Sequence, residues 1–436
     1  MFERTLSQTV LAVSRMFPVV MVTGPRQVGK STLLHACASD EPIPRRYVTL
    51  DDLNARDLAV NDPALFLQQW PAPVIIDEIQ YAPGLLSAIK VEVDRHKRPG
   101  MYWLTGSQKF ALMKGITESL AGRVALLDLL GLSQAEIDGF GRVSKPFVPA
   151  ADVHKSVIPK PDVSNAIPGS NASGEHPFQK VQPTPREATL QRVYQQIWLG
   201  SFPHLIQIGS QARDAFYRSY VQTYIERDVQ DVLRVTDHIA FNRFLGIVAA
   251  YTGQLLNYAN LARDLGVDNK TIKNWLSVLE TSGLIYLLPP YFNHLNKRIV
   301  KAPKLYFLDT GLAAYLTRWP GSESLQSGNL SGAIFETWVV SEILKSYWHN
   351  GKEAPLYFYR DTDGREIDLL IESGDTLYPV EIKRTATPTR QAYKQFHVIE
   401  GLGKRQGHGA VVCLIEEPLK LTESVTALPA ASLCEG

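Results

Sequence analysis

The sequence predicts an α/β chain in three parts: a parallel-sheet core, a small helical module closed by two strands, and a second α/β module. Three observations predict it. Gly24-Pro25-Arg26-Gln27-Val28-Gly29-Lys30-Ser31 is a complete G-x-x-x-x-G-K-[ST] phosphate loop. Two helical patterns on either side of Gly266 have the spacing of a helix-turn-helix. Asp368 on one predicted strand faces Glu381-x-Lys383 on the next.

The chain opens with an amphipathic helix, since Leu6, Val10, Leu11, Val13 and Met16 recur at roughly helical spacing. Pro18 to Val22 is an apolar run of the buried-strand type, and Ser31 to Cys37 begins a helix behind the phosphate loop. Strand, loop and helix in that order aim backbone N–H groups and a helix N-terminus at one point, which suits a polyphosphate. Gly24 to Thr32 is therefore the expected nucleotide cradle. Lys30 would reach the β and γ phosphates and the Ser31 hydroxyl would complete a Mg²⁺ shell. ATP, or a similar nucleotide, and Mg²⁺ are the expected ligands.

Arg45-Arg46 flanks the next strand, Tyr47 to Leu50, and Asp62-Pro63 caps a further helix. Val74-Ile75-Ile76-Asp77-Glu78 reads as a buried strand ending in two carboxylates. Asp77 would hold Mg²⁺ through water, and Glu78 would polarise the attacking water. Gln80 is either a second water-positioning group or an ordinary loop residue. A helix over Gly84 to Arg98 leads to a strand from Met101, whose end offers Thr105, Ser107 and Gln108 as sensors of the γ phosphate. Such an end is found in ATPases with an extra strand between the two Walker strands. Arg123 precedes the strand Val124 to Leu130; it either supplies charge to the phosphates, in cis or across a subunit interface, or makes a surface ion pair. Ser133-Gln134-Ala135-Glu136 is a capping box opening one more helix. The ATPase domain is thus expected over 1–142. From Val143 to about Pro185 the composition turns to Pro, Ser, Asn, Lys and Gly, so 143–187 reads as a linker or flexible insertion.

The middle domain is expected over 188–312. Helical patterns run from Leu190 to Trp198 and from Phe216 to Val235, where Tyr220, Thr223, Tyr224, Arg227 and Asp228 suit packing and surface pairing. Tyr258 to Leu265 and Asn269 to Glu280 are the two helices around Gly266, with Ile272, Leu276 and Leu279 facing Ala262, Leu265 and Val267. Two strands, from Gly283 and to Leu308, enclose a loop with Lys297, Arg298, Lys301 and Lys304, as in a winged helix. Asn269, Lys270, Lys273 and Asn274 lie on the outward side and suit phosphates or base edges. Winged helices also dock proteins, so DNA and a protein partner both stand open. Asp309-Thr310-Gly311 reads as a strand-end turn without chemistry.

The last domain is expected over 313–436. A helix beginning at Phe335 carries Glu336, and strands follow at Leu356 to Arg360, Arg365 to Ile371 and Leu377 to Lys383, with a turn at Ser373-Gly374-Asp375. A polar helix near Gln391 to Ile399 and a strand at Ala410 to Leu414 complete it. Asp, then Glu-x-Lys on the adjacent strand, is the pattern of PD-(D/E)XK phosphodiesterases. Alternation points Glu381 and Lys383 to one face. Asp368 and Glu381, with Glu336 as the additional acid, would hold Mg²⁺ while Lys383 steadies the nucleophile. Solvated ion pairs, or a core that binds DNA without cutting it, are the alternatives.

At 436 residues the chain suits about three domains. A formal net charge of +1 excludes a bulk basic field, so nucleic-acid binding must rest on local patches. Cys37, Cys413 and Cys434 are few and scattered, which suits a reducing cytoplasm and argues against disulfides or zinc. No apolar run approaches 18 residues, and the start lacks a basic segment followed by an apolar one; neither secretion nor membrane spanning is expected.

Taken together, these stretches resemble a prokaryotic family of AAA-like ATPases with a C-terminal domain of originally unknown function. The resemblance is carried by Gly24 to Leu34, Ile76 to Ala82, Leu104 to Gln108, Ser119 to Arg123, Tyr220 to Asp228, Thr252 to Ile285, Lys304 to Leu312 and Glu366 to Lys383. The Pro-rich insertion departs from it. The resemblance implies an ASCE-type P-loop ATPase core joined to a winged-helix domain and a restriction-endonuclease-like α/β module. The expected function is a Mg²⁺-dependent ATPase acting on DNA. A nucleotide-controlled protein-interaction switch with an inactive terminal core, an ATP-gated nuclease, and association of copies are the further expectations.

Overall fold

A computed structural model describes residues 2–107, 119–150, 185–225, 238–292 and 302–433. The amino-terminal sheet is built from β1 (Val19–Thr23), β2 (Arg46–Thr49), β3 (Val74–Asp77), β4 (Tyr102–Gly106) and β5 (Val124–Asp128), all parallel, in the order β2-β3-β4-β1-β5. β4 therefore stands between the strand that precedes the phosphate loop and the strand that ends in Asp77. β1, β3 and β4 are buried at every residue, as parallel strands covered on both faces must be. Alternation sends Val20 and Val22 toward α1 (Leu6–Ser14) and α2 (Lys30–Ser39), and Val19 and Met21 toward the opposite layer. That layer holds α3 (Leu53–Asn61), α4 (Pro63–Gln69) and α5 (Leu85–His96), with Asp62 capping α4 ahead of Pro63. Because the strands are parallel, the loops after β1, β3 and β4 emerge at one edge, and that edge carries the site.

The capping box at Ser133 and Glu136 forms on a single turn, α6 (Gln134–Ile137). The segment that follows does not leave as a linker at 143. Phe147 is buried, its N–H donates to Ser346 Oγ at 2.9 Å, and its carbonyl accepts from Tyr347 at 2.9 Å. Residues 151–184 lie outside the described residues.

The middle region contains α7 (Pro185–Leu199), α8 (Pro203–Ile208), α9 (Arg213–Tyr220), α10 (His238–Ala250), α11 (Tyr258–Leu265) and α12 (Asn269–Thr281). A three-stranded antiparallel sheet of β6 (Gln254–Leu255), β7 (Ile285–Leu288) and β8 (Lys304–Phe307) has the order β6-β8-β7. α11 ends at Gly266 (φ 69°), and Asp268 caps α12 by accepting from the Thr271 N–H at 2.8 Å. Ile272, Leu276 and Leu279 are buried as expected; Trp275, which the spacing argument left unplaced, also turns inward onto Phe241 and Phe244. Arg227, Asp228, Lys297, Arg298 and Lys301 lie outside the described residues.

Two expectations for this region need correction. Lys304 is not a basic residue of an exposed wing: it is buried, and its ammonium points into the carboxyl-terminal module. Asp309 is not a plain turn residue. It caps α13 (Thr310–Leu316), accepting from the Leu312 N–H, the Ser201 N–H and hydroxyl, and the Tyr217 hydroxyl, each at 2.7 Å. A boundary at 312/313 would cut this helix.

The last region has α14 (Ser322–Ser327), α15 (Ser331–Trp348) and a mixed sheet in the order β14-β15-β13-β11-β10-β9, with β12 beside β11. Its strands are β9 (Leu356–Arg360), β10 (Glu366–Ser373), β11 (Thr376–Ile382), β12 (Arg405–Gln406), β13 (Gly409–Cys413), β14 (Leu419–Thr422) and β15 (Val425–Pro429). β10 and β11 form the expected hairpin, pairing Ser373 with Thr376 across Gly374-Asp375. In place of the expected polar helix stand two 3₁₀ stretches, Arg390–Ala392 and Lys394–Leu402. One apolar core runs from Leu6 and Val10 of α1 through Trp275 and Leu276 of α12 to Ile343 of α15 and Val412 of β13. Among the described residues, no helix is long and apolar enough to cross a membrane.

Candidate functional site

The phosphate loop is shaped by two glycines. Gly24 adopts φ 141°, and a Cβ there would lie 2.0 Å from the Leu129 carbonyl oxygen; Gly29 adopts φ 91° as the cap of α2. Lys30 is buried, and its ammonium donates to the carbonyls of Gly24 (3.1 Å) and Pro25 (2.8 Å). The Ser31 hydroxyl donates to Asp77 Oδ1 at 2.7 Å. The Thr105 hydroxyl donates to the same oxygen, and Tyr47 donates to Oδ2 at 3.0 Å. Asp77 is thus fixed by three hydroxyl groups. Burial first, and then the neighbouring Asp77 charge, push the Tyr47 phenol up to about 12.

Glu78 sits in a left-handed conformation, φ 58°, with its N–H donating to Thr105 Oγ1 at 3.0 Å. Its carboxylate accepts from Gln80 Nε2 and, at 3.4 Å, from Ser107; Gln80 also donates to Ser107 Oγ at 3.2 Å. Gly24 to Thr32, Asp77, Glu78, Thr105 and Ser107 therefore meet at the carboxyl edge of the sheet, while Gln108 lies outside the described residues. Tyr47 was missed because an aromatic residue near a strand end carries no mark of its role until the strand order is known. One hydroxyl and one carboxylate, side by side, fit Mg²⁺, which takes its remaining ligands from water and phosphate.

Arg123 does not join this site. It precedes β5 at the opposite edge of the sheet, where its carbonyl accepts from the Val19 N–H, and its guanidinium grips Asp94 at 2.6 and 3.1 Å. A five-residue strand places the two edges about 16 Å apart. That distance rules out contact with phosphates held by its own chain.

Beside the loop opens a cavity of about 890 Å³. Gln27, Gly29 and Thr32 form its phosphate-loop wall, Phe2 and Leu11 an apolar wall, and His204 of α8 the far side. The amino-terminal segment also touches the loop directly: Arg4 donates to the carbonyls of Val28 and Leu130, both at 2.8 Å. Its Nε lies 3.1 Å from Glu136 Oε1, and His349 Nδ1 lies 3.3 Å from the same oxygen. Neither approach is a hydrogen bond, and the one from Arg4 is a charge contact. His349 Nε2 accepts from the Leu130 N–H at 3.2 Å, which places the proton of a neutral ring on Nδ1, facing Glu136. Burial drives the His349 pKa down; at Glu136 burial acts upward, but Arg4 and His349 outweigh it and hold the carboxyl well below its usual range.

The second constellation does assemble. Glu336 of α15, Glu366 and Asp368 of β10, and Glu381 of β11 converge, with Lys383 at 2.6 Å from Glu381 and 3.5 Å from Asp368. It differs from the expected metal centre by one cation that the sequence reading put elsewhere. Lys304 reaches in from β8, 2.6 Å from Glu366, 3.2 Å from Glu336 and 3.9 Å from Asp368. Among the described residues, no group of three or more acidic, histidine or cysteine side chains is disposed to hold a metal. Burial and then Asp368 push Glu381 up to about 8 and raise Glu336 as well. Burial would lower the Lys304 pKa, but Glu336, Asp368 and Glu366 raise it further.

Asn269, Lys270, Lys273 and Asn274 are exposed along the outer side of α12, with the Lys273 ammonium 5.5 Å from the Tyr258 ring. They form a short polar and basic row beside Gly266.

Residues 16–138 match the family model described as an AAA domain, 190–323 a domain of unknown function (DUF8612), and 331–433 a second domain of unknown function (DUF4143). Uncharacterized proteins of Mycobacterium tuberculosis and Mycobacterium bovis are each 29% identical over 416 residues, covering 95% of this chain and 80% of theirs. Among solved structures, a Walker-type ATPase of Pyrococcus abyssi aligns over 72% of this chain and 96% of its own, at 15% identity and a TM-score of 0.42. A Holliday junction branch migration motor of Thermotoga maritima aligns over 66% and 90%, at 17% identity and a TM-score of 0.29. The amino-terminal domain of this chain is a P-loop ATPase domain, on its family match and its phosphate-loop geometry.

Proposed function

We propose that this protein is a Mg²⁺-dependent ATPase that acts on DNA through its middle domain, read as a winged helix. The observation that carries the hydrolytic part is the net around Asp77 and Glu78, in which Ser31, Thr105, Gln80 and Ser107 hold two adjacent carboxylates in different tasks. The three hydroxyls on Asp77 support reading it as the metal-side carboxylate, with Ser31 as its partner. Ser31 and Asp77 would hold Mg²⁺ there, and the ion would supply charge neutralisation to the phosphates. Glu78, held by Gln80 and Ser107, would orient the attacking water and accept its proton, while Lys30 would leave the Gly24 and Pro25 carbonyls for the phosphates. The nucleoside fits the cavity between Phe2, Leu11 and His204.

The helix order α10, α11, α12 followed by the β7 and β8 pair supports the winged-helix reading, and the exposed row on α12 supports a DNA contact. Lys304, a lysine the phosphodiesterase pattern does not include, lies inside the carboxylate cluster and weighs against the nuclease alternative. The test is ATP turnover with duplex, single-stranded and branched DNA at physiological salt. Stimulation that is lost in a Lys270→Ala, Lys273→Ala variant is expected, with the salt slope of binding falling by about one per lost phosphate contact. Turnover indifferent to every DNA would replace this reading with the protein-interaction switch.

A further inference from the structure

We propose that Lys304 is a built-in cation of the carboxyl-terminal module, standing where a divalent metal would bind among Glu336, Glu366 and Asp368 and tying β8 to α15 and β10. Its ammonium lies 2.6 Å from Glu366, 3.2 Å from Glu336 and 3.9 Å from Asp368, and its side chain is only 5% exposed. Tyr306, two residues on and on the same face of β8, donates to Glu336 Oε1 at 2.7 Å. The strand thus brings both a cation and a hydroxyl to the same carboxylate.

The other half of the cluster also carries a cation, the more exposed Lys383, whose side chain is 43% exposed. Lys383 contacts Glu381 and Asp368, the Ile382 N–H donates to Asp368 Oδ2 at 2.9 Å, and Asp368 is shared between the two lysines. Two ammonium groups carry the charge of one divalent ion. A metal bound to these oxygens at about 2.1 Å would have to share the pocket with the buried Lys304, at strong cost where the dielectric is low. The lysine is delivered by β8 of the middle sheet, not by the module whose carboxylates it neutralises. Taking away one partner of such a buried set leaves charge uncompensated. With Lys304 removed, three acids face one space and recover the donor set that a divalent cation takes.

The experiment uses the full chain without nucleotide, so its outcome is separate from ATP hydrolysis. Mn²⁺ is titrated and followed by electron paramagnetic resonance and by melting temperature. Wild type is expected to show no Mn²⁺ site that depends on Asp368. Lys304→Ala is expected to gain one site, with Kd on the order of 0.1–1 mM, to melt higher when it is filled, and to lose it again when Asp368→Asn is added. A folded Lys304→Ala protein without that site would overturn the proposal. Should Lys304→Ala not fold, wild type decides: a Mn²⁺ site abolished by Asp368→Asn but kept in Ser31→Ala would overturn it, and its absence would uphold it.

Discussion

Glu78 and Lys30 separate binding from chemistry at the level of single side chains. Lys30 is the lysine of the phosphate-loop motif, so Lys30→Ala should remove tight ATP binding; isothermal titration giving wild-type affinity would show the loop to be decorative. Glu78→Gln keeps size and shape but cannot take a proton. ATP should remain bound in that variant while turnover falls by about 10²- to 10⁴-fold, and normal turnover would exclude Glu78 as the base. Thr105 serves both acids, donating to Asp77 and accepting from the Glu78 N–H. Thr105→Val loses both bonds at nearly constant volume, so single-turnover hydrolysis should slow more than ATP affinity weakens. The loop and the two acids were legible in the sequence because their spacing is itself the chemistry. Tyr47 and the cavity walls at Phe2 and His204 were not, because nothing local marks residues that reach the site only through strand order and docking.

At the scale of elements, strands and helices whose apolar spacing matches one period were found in the sequence, among them β3, β10, β11 and both helices around Gly266. The failures share a cause. Asp309 looked like a turn because its partners, Ser201 and Tyr217, lie about a hundred residues earlier. Lys304 looked like a wing residue because local sequence does not tell a solvated lysine from one facing Glu336 and Glu366. β14 and β15 were not read from the sequence. Asp309 also yields a prediction. Asp309→Ala uncaps α13 and leaves the Ser201 N–H without its acceptor, while the Tyr217 hydroxyl keeps only the Leu199 carbonyl, a loss of about 2 kcal/mol. Scanning calorimetry should show a melting temperature lower by roughly 4–8 °C. An unchanged value would mean that the α7 to α8 turn does not depend on this carboxylate.

Across the whole molecule, the parts are joined by buried charge as well as by apolar packing, and this makes acid sensitivity a property of the assembly. Arg4, Glu136 and His349 come from the amino-terminal segment, the α6 turn and the end of α15; Arg4 also holds the Val28 carbonyl inside the phosphate loop. Lys345, one turn before His349, donates to the Leu132 carbonyl and to Glu342, while Glu342 accepts from the Gln134 N–H, so the same surfaces are clamped twice. The folded pKa of His349 lies below its ordinary 6.5, and that of Glu136 below its ordinary 4.5. Each group therefore binds its proton more readily in the unfolded chain. The stability that each contributes is present above its ordinary pKa and is lost as pH falls toward the folded value. Stability should decline from about pH 6.5 downward through His349, and further below about pH 4.5 through Glu136, at up to about 1.4 kcal/mol per pH unit for each group. His349→Gln removes the first titration while a side-chain oxygen can still accept from Leu130. Its melting temperature should fall less between pH 6.5 and pH 5 than that of wild type, and equal slopes would exclude His349 as the source. Glu136→Gln strands the Arg4 charge at every pH and should cost about 3–5 kcal/mol throughout. Because Arg4 reaches the loop backbone, the same variant should also weaken ATP binding, linking the docking of the carboxyl-terminal module to the nucleotide site.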